Sequence, residues 1–227
     1  MDSTGSFAMK KIEKRVVILG GYGNFGKRIA ESLSVLSGIK IIIAGRSIHK
    51  AQDMCQKLSL LGVDASLESA FIDIHTPEFI QTLRALSPDL VIHTGGPFQG
   101  QDYRVASACI GLGSHYIDLA DDRRFVCDIT SLHDQACAQN VLIVSGASSV
   151  PGLSSVVVDC FAQQFSTLEE IDFAIAPGNQ AERGEATVNG ILSYTGHPFL
   201  VLNKGKWINE YADKSVWFRP KSPENAH

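Results

Sequence analysis

"VVILGGYGNFGKRIA", residues 16–30, joins a β-branched apolar run to Gly21, Gly23 and Gly26 in G-x-G-x-x-G spacing, then to a helix-period segment. In a strand–turn–helix of this kind Gly21 permits the tight turn and Gly23 lets the backbone approach a pyrophosphate. Gly26 lets helix and strand pack closely. Freed amides at the helix start, with the helix dipole, favour phosphate charge. Tyr22, Asn24 and Phe25 fill the turn and join the three glycines as candidate cofactor contacts. Phe25, Ile29, Leu33 and Leu36 share one helical face, expected to point into the core.

Outward from this stretch the pattern repeats. Apolar runs occur at 15–20, 39–45, 69–74, 89–96, 115–120 and 141–147, separated by helix-period segments. The runs are continuous rather than alternating, as strands buried on both faces of a parallel sheet require. Thr76-Pro77 reads as an N-cap followed by proline at the first helical position. Val105, Ala108, Cys109 and Leu112 form one helical stripe, and Leu153, Val156, Val157, Cys160 and Phe161 another. The expectation is an α/β fold, a doubly wound, Rossmann-type parallel sheet over 13–165, after a flexible tail at 1–12. Residues 166–227 read as the start of a second, α+β domain for substrate or dimerisation: a strand at 168–177, an ambiguous helix at 185–194 and a hairpin at 198–211 turning at Asn203-Lys204-Gly205. The ending "RPKSPENAH" has no apolar closing element. The expectation is a truncated chain, or a second domain completed by another subunit in a homodimer.

The second apolar run ends in "AGRS". Twenty residues beyond Gly26, where an NAD-selecting carboxylate would sit, stands Arg46. A carboxylate there repels a 2′-phosphate, whereas an arginine pairs with it bidentately. Ser47 reads as the N-cap of a helix from Ile48 that aims its amides at the same phosphate, and Lys50 adds charge. The plain alternatives are a surface arginine, an ordinary cap and a solvated lysine. The cofactor expected is therefore NADP(H). Asp73, at the end of the third run, is a candidate acceptor from the adenine amino group, against the alternative of a simple strand-end aspartate. In "HTGGPFQG" (93–100), Gly95 and Gly96 let the loop pass close to the cofactor ribose, with Pro97 and Phe98 flanking the nicotinamide side.

Composition narrows the class. Of 227 residues 44% are hydrophobic and 19% charged, enough for a full core; the net charge of −4 speaks against nucleic acid or an anionic membrane as partner. The five cysteines lie far apart without a C-x-x-C pair, and read as reduced cysteines with Cys109 and Cys160 on apolar helix faces. No histidines have zinc-ligand spacing, so no metal is expected. Without a signal-like start or an 18-residue apolar run, the expectation is a soluble cytoplasmic protein that acts on a small molecule.

"GGYGNFG", "AGRS", "VIHTGGPFQGQDYRVASACIGLGSHYIDLADD" and "SGASSVPGLSS" together resemble the NADP-binding half of the saccharopine dehydrogenase-like reductases, over roughly residues 13–165. That group includes saccharopine reductase, carboxynorspermidine synthase and the trans-acting enoyl reductases. The resemblance implies NADP(H)-linked reduction and a second, substrate-binding domain after the sixth strand. Ala120-Asp121-Asp122 stands where the family often has a glycine-glutamate pair. Ser149-Val150-Pro151-Gly152 replaces a D-P-G motif. An amino-acid substrate is therefore not carried over.

The cofactor brings the hydride, so the chain has to supply orientation and a proton. Gln99, Asp118, Asp121, Asp122, Arg123, Ser148 and Ser149 are available at the carboxyl ends of the runs. Asp118 ranks first as the catalytic candidate, against the alternative that it holds a neighbouring loop. Arg123 and Arg124 suit a substrate carboxylate, against the alternative of surface residues. "YADK" (211–214) lacks the Tyr-x-x-x-Lys spacing of short-chain dehydrogenases. The function expected is an NADP(H)-dependent oxidoreductase acting on a small carbonyl, imine or enoyl group. The alternative is a non-catalytic NADP-binding module, such as a redox sensor or accessory subunit.

Overall fold

Alternation of side chains along each strand explains the continuous apolar runs. In the computed structural model, which describes residues 13–171, isolated positions between 173 and 192, and 196–211, Val16 and Ile18 of the first strand face one helical layer while Val17 and Leu19 face the other. Ile41 and Ile43 against Ile42 and Ala44 repeat the division, as do Ile92 and Val91. Every such residue is removed from water on a two-sided sheet, so no polar alternation is tolerated.

The chain runs β1 (Lys14–Leu19), α1 (Asn24–Ser34), β2 (Ile39–Gly45), α2 (Ile48–Ser59), β3 (Ser66–Phe71), α3 (Phe79–Leu86), β4 (Leu90–His93) and α4 (Arg104–Leu112). It continues through β5 (His115–Asp118), α5 (Arg123–Asp128), α6 (His133–Ala138), β6 (Ile143–Val144) and α7 (Ser154–Ala162). The six strands are parallel in the order β3-β2-β1-β4-β5-β6. This is the doubly wound Rossmann arrangement, with the strand order reversing between β1 and β4. Ala30, Ala51, Met54 and Leu58 of α1 and α2 cover one face. Phe79, Leu83, Val105, Cys109 and Phe125 of α3, α4 and α5 cover the other. No described helix is long and apolar enough to cross a membrane.

Several sequence expectations shift. The third strand lies at Ser66–Phe71, three residues ahead of the run at 69–74. As the sheet edge it tolerates polar residues, and Glu68 stands 3.6 Å from both Arg15 and Lys40. Ile72, Asp73 and Ile74 instead leave the sheet. Thr76 closes that turn by donating from its hydroxyl to the Asp73 carbonyl (3.1 Å), and α3 begins only at Phe79.

The inward side of α1 is Gly26, Ala30 and Ser34, with Ile29 and Leu33 partly buried; Phe25 and Leu36 stay about half exposed. A helix pressed this close to a strand has room only for small residues on its near side. The stripe on α7 is not buried among the described residues: Leu153, Val156, Val157 and Phe161 are 47–62% exposed, and Cys160 is exposed. Cys109 is buried.

Beyond α7, residues 168–171, 173 and 175 are not in a strand, contrary to expectation. Of 185–194 the described Val188, Asn189 and Leu192 are helical. The hairpin forms as β7 (Pro198–Asn203) and β8 (Lys206–Tyr211), antiparallel. Lys204 and Gly205 have φ of 48° and 74°, the two positive values that a tight two-residue turn needs. The expected tail at 1–12, the ending and "YADK" beyond Tyr211 lie outside the described residues.

Gly26 measures how tightly the first unit is packed. A Cβ built there would overlap the Gly20 carbonyl oxygen and come within 2.7 Å of Gly21 Cα. Gly26→Ala should therefore lower stability by about 1–3 kcal/mol, the usual cost of overpacking. Urea unfolding followed by far-UV circular dichroism reads it, and an unchanged midpoint would show that α1 and the glycine turn are not in contact there.

Candidate functional site

A cleft of about 510 Å³ opens at the carboxyl ends of β1 to β4, where the strand order reverses. Gly20, Tyr22, Gly23, Asn24 and Phe25 line it from the glycine turn, and Gly45 and Arg46 from the end of β2. Asp73, Ile74 and His75 follow β3, and Thr94, Gly95, Gly96 and Pro97 follow β4. A wider hollow of about 840 Å³ lies at the opposite, amino ends of the strands. It contains the Lys14–Asp89 ion pair (2.7 Å) but neither a glycine turn nor the start of α1, so the chemistry points to the smaller cleft.

The glycine turn divides its labour differently from the sequence expectation. Gly20, not Gly21, takes the left-handed conformation, with φ of 78°. A side chain on Gly20 would strike Thr94 Oγ1, which donates to the Leu19 carbonyl at 2.8 Å and lies 3.2 Å from that of Gly20. Gly21 is a packing glycine, since its Cβ would meet the Ile18 carbonyl and Ile43 at 3.0 Å. Gly26 packs α1 against the turn, as expected, and neither Gly21 nor Gly26 lines the cleft. Gly23 is the extended N-cap of α1 and brings no capping side chain to the helix's first amides. A Cβ on Gly23 would meet only the Gly20 carbonyl (3.1 Å). An open, uncapped helix N-terminus beside side-chain-free backbone is the donor set that a pyrophosphate requires.

At the end of β2, the Tyr22 ring lies against Gly45; a Cβ on Gly45 would stand 2.6 Å from the tyrosine oxygen. That oxygen accepts from the Ser47 amide (2.9 Å). Ser47 caps α2 as expected, accepting from the Lys50 amide at 3.4 Å. The Ser47 and Lys50 amides are thus satisfied within the protein and are not offered to a phosphate. Ser47 and Lys50 also lie off the cleft lining. Arg46 differs: it is exposed, faces the cleft, and has no ion pair or hydrogen bond among the described residues. Asp73 lines the cleft too, but Oδ1 accepts from the His75 amide (3.0 Å), leaving Oδ2 as its outward oxygen.

In the loop after β4, Gly95, Gly96 and Pro97 face the cleft, with the Gly96–Pro97 peptide cis. Phe98 does not flank the cofactor side. It is buried in the core, with ring centroids 5.2 Å from His93 and 5.3 Å from Phe125, because the apolar ring finds its partners inward. His93, at the inner wall of the cleft, is also fully enclosed. Burial holds its imidazole below the ordinary histidine range, outweighing the opposing influence of Gln101 and of the Asp118 charge.

Asp118 is not in the cleft. Its side chain is wholly buried, and Oδ1 accepts from the Ala120 amide, the Ser145 hydroxyl and the Gly146 amide, each at 2.9 Å. The carboxylate ties the turn after β5 to the turn after β6, which is a structural task. Of the other polar candidates, Asp122 caps α5 by accepting from the Phe125 amide, and Asp121 accepts from Gln99. Arg123 donates to the Leu200 carbonyl (2.8 Å) and lies 4.5 Å over the Trp207 ring, joining α5 to the hairpin. Arg124, Ser148 and Ser149 are not among the cleft-lining residues.

Sequence reasoning missed Gly20, His93, Thr94 and Gln101. A doubled glycine at the strand end signalled the first. A histidine and threonine closing an apolar run signalled the next two; Gln101 carried no local signal.

Residues 16–147 match the family described as the saccharopine dehydrogenase NADP binding domain. A trans-acting enoyl reductase of Mycobacterium leprae is 27% identical over 146 residues, which cover 62% of this chain and 34% of that protein. A Mycobacterium tuberculosis relative is 30% identical over 152 residues, with the same coverage. The matched part therefore spans about a third of the length of these curated relatives. Among solved structures, apo saccharopine dehydrogenase (L-Glu forming) from Saccharomyces cerevisiae superposes with a TM-score of 0.51 at 15% identity. It covers 66% of this chain and 31% of that one, a likeness of fold.

Two outcomes follow from the buried groups. Asp118→Ala strands three donors and should cost about 2–4 kcal/mol of stability in chemical denaturation; a variant as stable as the parent would return Asp118 to the list of catalytic candidates. For His93, the folded value lies below the unfolded value of about 6.5. Its contribution to stability is therefore complete above that pH and is lost as pH falls towards the folded value. Between pH 7.5 and 5.5 the denaturation midpoint should fall less in His93→Gln than in the parent; equal falls would mean that His93 titrates normally.

Proposed function

The chain belongs to the saccharopine dehydrogenase NADP-binding-domain family, and from that premise we propose that it is an NADP(H)-dependent oxidoreductase that transfers hydride to a small carbonyl, imine or enoyl group. Arg46 carries the reading: a guanidinium with no partner among the described residues faces the cleft just beyond β2, where a 2′-phosphate distinguishes NADP from NAD. Gly23 and the opening amides of α1 receive the pyrophosphate, Tyr22 and Asp73 border the adenosine side, and Gly95, Gly96 and Pro97 border the nicotinamide side. When bound, the cofactor supplies the hydride. The residues around it orient its ring and keep the first-turn charge of α1 aimed at the phosphates. The names of the enoyl reductase relatives support a reductase acting on an unsaturated substrate.

A second reading, a non-catalytic NADP-binding module, draws on one observation: the carboxylate of Asp118 and the guanidinium of Arg123 are both committed to contacts within the protein. Turnover of NADPH by the chain with any enoyl or carbonyl substrate would end that reading.

Fluorescence titration with NADPH and NADH tests the cofactor choice. NADPH should bind more tightly, and Arg46→Ala should weaken it by about 1–3 kcal/mol, the worth of a charge-assisted hydrogen bond, while leaving NADH nearly unchanged. Equal binding of both nucleotides by the parent protein would remove the role given to Arg46.

A further inference from the structure

Gln101 lies outside the glycine motif and outside the run that ends β4, yet its carboxamide meets two carbonyls of the loop that borders the cleft and the imidazole of His93 that closes β4. Nε2 donates to the Gly95 carbonyl at 2.9 Å and to the Pro97 carbonyl at 2.6 Å. Oε1 lies 3.3 Å from His93 Nε2, and the Gly95 amide donates back to His93 Nδ1 at 3.4 Å. These contacts determine one another. Two carbonyl oxygens at Nε2 consume both amide hydrogens, and an amide turned the other way would set oxygen against oxygen. Oε1 is left as an acceptor, so His93 carries its proton on Nε2. Nδ1 is then a lone pair, which is what the Gly95 N–H requires. The result is a closed ring of hydrogen bonds running from Gly95 through His93 and Gln101 back to the Gly95 carbonyl.

The ring has a consequence for the cleft. It draws the Gly95 and Pro97 carbonyls onto Gln101 and the Gly95 amide onto His93, while Thr94 anchors the start of the same loop on Leu19 and Gly20. The loop is thus held at both ends, with Gly95–Pro97 along the cleft wall. His93 is held in turn by edge contact with Phe98 and by the neighbouring Tyr116 ring (6.3 Å), both buried. Asp118 is the charged group whose field reaches it.

We propose that Gln101, acting through neutral His93, is the positioning residue that preorganises the Gly95–Pro97 wall for the nicotinamide half of NADP(H). The proposal rests on the cofactor reading above and adds a residue that no glycine motif contains. Preorganisation of this kind strengthens binding by removing the entropy of ordering the loop. Its effect is confined to ligands that reach the loop, since the adenosine 2′,5′-bisphosphate half is held by the glycine turn and Arg46 at the other end of the cleft.

The test is a pair of titrations on the whole chain, with NADPH and with adenosine 2′,5′-bisphosphate, for the parent protein and Gln101→Leu. NADPH should bind about tenfold more weakly to the variant, in line with the loss of about 1.4 kcal/mol of hydrogen bonding, and the bisphosphate as tightly as to the parent. In the parent, nitrogen NMR of the imidazole should show the Nε2–H tautomer of His93, a signature that needs no substitution; in Gln101→Leu it should become a mixture. A His93→Phe, Gln101→Leu double variant should lose no more NADPH affinity than the larger single loss, because the two act as one network. Unchanged NADPH affinity in the variant, equal loss of both ligands, an Nδ1–H tautomer in the parent, or additive losses would each overturn the proposal. A parent protein that binds neither ligand would instead overturn the cofactor reading, and the proposal with it.

Discussion

Three stretches of backbone meet at Gly20: the end of β1, the start of α1 and the loop leaving β4. Gly26 can press α1 onto the Gly20 carbonyl only because it lacks a Cβ, and Thr94 can reach the Leu19 and Gly20 carbonyls only because Gly20 lacks one. This convergence brings the uncapped amides of α1 beside the wall formed by Gly95–Pro97. A single methyl group at either glycine would separate elements that the cleft needs in contact, so steric absence, rather than any added attraction, is the constraint on which the site depends.

Around that point charge and polarity are distributed by what each group can reach. Arg46 has no partner among the described residues, whereas the donors beside it do: the Ser47 amide is taken by Tyr22 and the Lys50 amide by Ser47. Asp118, which from its place at the end of β5 reads as a group facing the cleft, turns into the interior and satisfies two loop amides and a hydroxyl. A carboxylate enclosed on all sides without donors would be strongly disfavoured, and the turn after β6 supplies two of the three donors.

The sheet was legible because its requirement is local. Strands buried on both faces are apolar along most of their covered length, and β2 falls on Ile39–Gly45 as its run indicates. β3 escaped the same reading because an edge strand carries Ser66 and Glu68 without penalty, while the more apolar Ile72-Asp73-Ile74 beyond it serves the cleft instead. The helix stripes were less legible. A 3.6-residue period identifies an apolar face but not what covers it: Cys109 lies in the core, whereas the equally regular face of α7 stands exposed among the described residues.

By itself the sequence determined the alternation of strands and helices through α7, the doubly wound class, and the glycine turn with the arginine beyond β2, because each depends on residue type and spacing within one strand–helix unit. Tertiary structure alone decided which glycine carries the strained turn, that Phe98 goes inward, that Asp118 braces loops, and that His93 and Gln101 clasp the wall of the cleft. Those outcomes depend on contacts between segments that lie far apart along the chain, as Gly20 and Thr94 do, or on the direction a side chain takes once its neighbours are packed. Neither is encoded in the periodicity of any single run.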